Sequence, residues 1–294
     1  FQVLFNVITG TVLLSLFYAE RIFGLPLVHA LVTSLEIDTA QQMAIIYLIF
    51  NVFGAALMYT FRKPILNRIE RRWPPSEEEN IGRLEFLHDH SIDTPDLAID
   101  LADKELQRFL SLLPRYIDAL RMGPEESETQ IKMLSRALIQ RHQAIEEALS
   151  ELSHYVSADD SERLIRLSNR NQQLGSLNTS IDALATSAIA AGSSEQLSQL
   201  ATVVTEAFDA SLITTVEALA ERDQKELVEA WKATDNKSEK MRRIRQRFLR
   251  GDADLSNNEK LDLMSLTTGL ERCTWCLHDL LTDMVATDEQ ESTD

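Results

Sequence analysis

The stretch from Met43 to Arg72 constrains this chain most. Met43 to Phe61 (MAIIYLIFNVFGAALMYTF) carries no charged side chain, and as a helix rising about 1.5 Å per residue it covers roughly the ~30 Å of a bilayer's hydrocarbon core. It reads as a membrane span. Directly after it come Arg62, Lys63, Arg68, Arg71 and Arg72, and the positive-inside bias puts such a cluster on the cytoplasmic side of a span. Everything after residue 62 is therefore expected in the cytoplasm.

A second uncharged run of span length, Phe1 to Ala19, makes residues 1–61 a membrane hairpin. If the second span ends in the cytoplasm, the first begins there and Glu20 to Gln42 lies outside. Within that loop Ile22 to Leu35 is apolar but too short to cross, and Gly24 and Pro26 favour a break. The chain opens at Phe1 inside an apolar run, without an initiator Met or a basic leader, and so reads as the C-terminal part of a longer protein. The formal charge of −17 over 294 residues averages an apolar start with an acidic remainder. That acidity argues against nucleic acid as a partner. Two cysteines, Cys273 and Cys276, do not make a disulfide scaffold.

The two spans resemble each other. Phe5-Asn6-Val7 recurs as Phe50-Asn51-Val52, each followed by a glycine, Gly10 and Gly54, the kind of weak internal symmetry common in transporter folds. An asparagine in hydrocarbon needs a hydrogen-bond partner, so Asn6 and Asn51 are the candidate polar residues of the membrane core. Inter-helix contact is the plainer role for them and direct ligand binding the sharper one.

Trp73, Pro74-Pro75 and Glu77-Glu78-Glu79 mark a connector that turns from basic to acidic. His88, Asp89, His90 and Asp93 sit in it without helical spacing and read as surface residues before a metal site. From Asp96 onward apolar residues recur at helical spacing. The stripes are Leu97, Leu101, Phe109, Leu112, Tyr116, Leu120; Ile131 to Val156; and Leu164 to Ala188, with breaks at Gly123-Pro124, Ser157 to Ser161 and Gly192. A second trio follows: Leu197 to Leu219; Leu227, Trp231, Met241, Ile244, Phe248; and Leu263 to Met284. Each stripe needs neighbouring helices to cover it. The expected organisation is all-α: 1–61 as two transmembrane helices, 62–95 as connector, 96–286 as two tandem three-helix units, and 287–294 as a polar tail.

FNVITGTVLL and AIIYLIFNVFGAAL resemble the closing spans of the membrane repeats in bacterial sodium/phosphate cotransporter family proteins. The later part is similar to the PhoU-like domain many of them carry, most specifically in ATDNKSEKMRRIRQRFL (Ala233 to Leu249) and MSLTTGLERCTWCLHDLL (Met264 to Leu281). The resemblance implies sodium-dependent phosphate transport across a bacterial inner membrane. Its implied partners are the bilayer, sodium and phosphate ions and an upstream transmembrane part of the same protein, with a homo-oligomer left open. The family's Gln-Ser-Ser and Gly-Thr-Asn motifs do not occur here, so its transport site cannot be carried over. Its metal-binding acidic helices correspond to Asn169 to Leu177 and Glu271 to Trp275, which lack the second carboxylate a hard cation needs. No metal or other cofactor is expected.

Cys273-Thr274-Trp275-Cys276 has redox spacing, but Cys273 falls in the apolar register beside Leu270 and Leu277 and reads first as a small buried hydrophobe. No phosphate loop, nucleophile elbow or HExxH helix is present, so an enzyme is not expected. The basic run Arg242, Arg243, Arg245, Arg247, Arg250 reads as a solvated face paired to glutamates, with docking on acidic groups or headgroups as the alternative. A membrane-anchored regulatory protein without transport is the competing reading of the whole.

Overall fold

The computed structural model describes the chain apart from residues 1, 25–37, 62–63, 65–67, 69–70, 73, 88–93, 158–159, 222, 235–240, 247–254 and 292–294; the side chains of 2–5, 8, 39, 57–58 and 287–291 also lie outside the description. The described residues are helical, with turns between helices and no strand. They form two units, Phe1–Pro75 and Ser76–Asp294. The boundary falls at the Pro74-Pro75 pair, where the missing amide protons stop a helix.

The first unit is α1 (Gln2–Phe23) packed on α2 (Thr39–Thr60). α1 stops because Gly24 takes φ 65°, a conformation that favours glycine, and its amide donates to the Glu20 carbonyl at 3.0 Å. Thr9 and Gly54 are buried in this pair, whereas Val7, Leu14, Tyr18, Ile46, Leu48 and Val52 are exposed. Among the described residues no helix is long and apolar enough to cross a membrane.

The second unit opens with α3 (Glu77–Gly82), started by a reciprocal box: the Glu79 amide donates to Ser76 Oγ and the Ser76 amide to Glu79 Oε2. Then come α4 (Pro95–Leu112) and α5 (Arg115–Leu120). One continuous stripe is expected over this stretch, but Pro114 divides it, because proline cannot return a hydrogen bond inside a helix. The buried face also differs: Leu97 is 51 % exposed, while Ala98, Ala102, Leu106 and Phe109 are sealed.

α6 (Pro124–Leu152) starts at Gly123-Pro124, with proline in the first turn and Glu125 and Glu126 at the positive end of the helix. α7 (Ser161–Gly192), α8 (Ser198–Glu221), α9 (Gln224–Thr234) and α10 (Asn257–Glu291) complete the unit. Residues 241–246 are helical, and Phe248 of the expected stripe lies outside the described residues. α10 continues past Thr287 into the stretch expected as a tail.

α7 is the central post, in contact with α4, α5, α6, α8 and α10. Leu174, Leu177, Ile181 and Leu184 of α7 and Leu277, Leu280 and Leu281 of α10 are fully buried. The last helix of each trio thus forms the longest seam of the unit, so the helices share one core cluster.

Candidate functional site

The sequence candidates of the membrane part stay apart in character. Asn6 is exposed, on the open face of α1 that also presents Gly10, Leu14 and Tyr18 at helical spacing. Asn51 is half-buried and its amide donates to the Tyr47 carbonyl at 2.8 Å, within its own helix. Of the basic cluster, Arg68, Arg71 and Arg72 are exposed, while Arg62 and Lys63 lie outside the described residues. His88, Asp89, His90 and Asp93 also lie outside them.

In the helical unit, Cys273 and Cys276 are buried; the Cys276 sulfur sits 3.6 Å from Ser180 Oγ. Burial pushes the Cys273 thiol up, out of the range in which a thiolate forms. His278 stacks on Trp231 with centroids 5.6 Å apart, and its Nδ1 lies 2.9 Å from Thr234 Oγ1. Both contacts hold α9 against α10. Arg245 makes a two-pronged ion pair with Glu271, both bonds at 2.8 Å, so Glu271 is committed to a guanidinium. Asn169, Gln172, Gln173 and Ser176 line a cavity of 320 Å³ with Trp275, Cys276, Asp279 and Asp283. Among the described residues no group of three or more His, Cys, Asp or Glu could hold a metal ion.

A larger cavity of 640 Å³ is lined by residues of α4, α7, α8, α9 and α10, including Arg163, Arg166 and Arg170 on one face of α7. Each arginine has a carboxylate partner: Arg163 pairs with Asp100 at 3.0 Å, Arg166 with Glu162 at 2.9 Å, and Arg170 with Asp103 at 3.4 Å and Asp283 at 2.9 Å. This is an internally neutralised seam.

The most constrained polar group is one that the sequence reading passes over. Glu105 and Arg141 form an ion pair at 2.6 Å with both side chains 0 % exposed. The rest of each side chain is used on residues 81–87. Arg141 Nε donates to the Ile81 carbonyl at 2.8 Å and Nη2 to the Arg83 carbonyl at 2.6 Å. The second oxygen of Glu105 accepts from the amides of Glu85, Phe86 and Leu87. Burial pulls the Arg141 guanidinium below its ordinary value, and Glu105 opposes that. The signal was present: Glu105 stands in register with Ala98, Ala102 and Phe109, and Arg141 with Leu134, Leu138 and Ile145. A charge on a core stripe demands a buried partner.

Comparison of the chain with protein-family models, with curated proteins and with solved structures returns no match.

Proposed function

We propose that this chain works in sodium-dependent phosphate transport across a bacterial cytoplasmic membrane. In this reading α1 and α2 supply membrane spans of a cotransporter and the helical unit is a PhoU-like regulator on the cytoplasmic side. One observation carries the membrane part: the large apolar side chains of α1 and α2 face outward on a two-helix unit that cannot cover them. A lipid surround removes that cost. The phosphate and sodium part rests on the repeated Phe-Asn-Val segments and their resemblance to that cotransporter family. The helical unit would act by shifting the population of transporter states.

Sodium-dependent phosphate uptake into proteoliposomes by the full-length protein tests this. Uptake that exceeds empty vesicles and collapses when sodium is replaced is expected; uptake equal to empty vesicles overturns it. The same result would favour the competing reading, a membrane-anchored regulatory protein without transport. One observation speaks for that alternative: the Asn51 amide is satisfied by its own helix, which removes a reason to place it at a binding site.

A further inference from the structure

We propose that residues 76–87 form a strap fastened to the helical unit by the Glu105–Arg141 pair, and that it detaches as a unit while the helices beneath stay folded. The pair is built around the strap. Two strap carbonyls, of Ile81 and Arg83, end on one guanidinium, and three consecutive strap amides, of Glu85, Phe86 and Leu87, end on one carboxylate oxygen. Five backbone groups, from the end of α3 and from residues 83–87 after it, are thus satisfied by two side chains, one from α4 and one from α6. The Arg83 amide also closes α3 by donating to the Glu79 carbonyl at 3.0 Å.

The remaining attachments are of two kinds. Ile81 and Gly82 are buried in the middle of the strap and Leu87 at its end, Leu84 packs against the core, and a Cβ at Gly82 would stand 3.3 Å from the Ala137 carbonyl. The other contacts are surface ion pairs: Glu77 with Arg115, Glu78 with Arg136 and Glu85 with Arg108. Exposed pairs of this kind contribute little. The buried polar fastening therefore concentrates in one place, beside the packing of α3 along α6. A buried pair behaves unlike distributed packing: it is strong while complete, and removal of either member leaves the other buried without a partner. That makes attachment close to all-or-none. Arginine is required, because lysine cannot direct three donors in a planar fork to Ile81, Arg83 and Glu105 at once.

Position gives the strap its use. Ser76 follows Pro75 directly, so the strap is the first part of the helical unit that the chain enters on leaving the two-helix unit. Any shift between α4 and α6 that parts the ion pair frees this segment at its root. This holds whether or not the protein transports phosphate.

Hydrogen exchange on the full chain in detergent tests the device. In the E105L/R141M variant, which replaces both charges by apolar side chains of similar bulk, amides 85–87 are expected to exchange about 100-fold faster. The amides of α7 and α10 are expected to stay within about threefold of the parent. Unchanged protection at 85–87 would overturn the fastening, and equal loss across α7 and α10 would show a pillar of the whole unit instead. Should the variant fail to fold, denaturant-dependent exchange on the unmodified chain decides. Amides 85–87 are expected to open below the denaturant concentration that opens α7, and simultaneous opening overturns the proposal.

Discussion

In Phe1–Pro75 residues such as Ile46, Leu48 and Val52 stand exposed, whereas in Ser76–Asp294 residues of the same kind, Leu174, Ile181 and Leu277, are sealed between helices. The residue types are shared, so their chemistry does not make the difference. The number of neighbours does. Apolar burial is worth roughly 25 cal/mol per Å² removed from water, and a pair of helices can cover only the facing strip of each. In the larger unit α7 alone touches five helices. Polar groups divide in the same way: the Asn51 amide bonds within its helix, while Glu105 and Arg141 must find each other across two.

The contrast can be broken most directly with a charge. Val52→Arg, at a position 61 % exposed, is expected to cost about 3 kcal/mol of membrane insertion if that face meets lipid. Val203→Arg, at a position 65 % exposed on α8, is expected to change stability by no more than about 0.5 kcal/mol. The carbonate-resistant membrane fraction of the full chain and the melting of its helical unit read the two effects. Equal tolerance at both sites would erase the distinction.

A core truncation sharpens the other side. Leu277→Ala, fully buried on the α7–α10 seam, is expected to lower the stability of the helical unit by about 3 kcal/mol through lost contact and the cavity left behind. A urea midpoint measures it. Leu48→Ala, on an exposed face of α2, should leave that midpoint in place.

The smallest effect concerns a carboxyl inside the helical unit. Burial raises the Asp182 carboxyl above the usual carboxylate range, against a hydrogen bond from Ser135. A raised value in the folded state means that folding favours the protonated form. Its contribution is fully present below the unfolded-state value and is lost as pH rises through the folded one. Asp182→Asn is therefore expected to melt slightly higher than the parent at neutral pH, with the gap closing as pH falls below the carboxylate range. A gap that is constant with pH would assign the effect to packing.

Much of the helical pattern is legible in the sequence. The breaks at Gly123-Pro124 and Gly192 and the stripe Leu263, Leu266, Leu270, Cys273, Leu277, Leu280, Met284 coincide with helix limits and buried faces. These signals are local: proline and glycine act on their own backbone, and the helical period is counted within one segment. The break at Leu113-Pro114 was readable by the same rule. The exposure of Leu97 was not, because two adjacent apolar faces of α4 compete and only the neighbours choose between them. The membrane role proposed for α1 and α2 rests on uncharged runs of span length in the sequence and on the apolar side chains the two helices leave exposed.

The strap marks the limit. The sequence by itself determined that the chain is helical, where most helices begin and end, and that Glu105 and Arg141 fall on core stripes. Only the tertiary structure decided that they meet each other, that α7 lies along α10, and that residues 81–87 close over the pair. Burial and pairing depend on segments distant along the chain, and a charge in a core register states that a partner is needed without naming it.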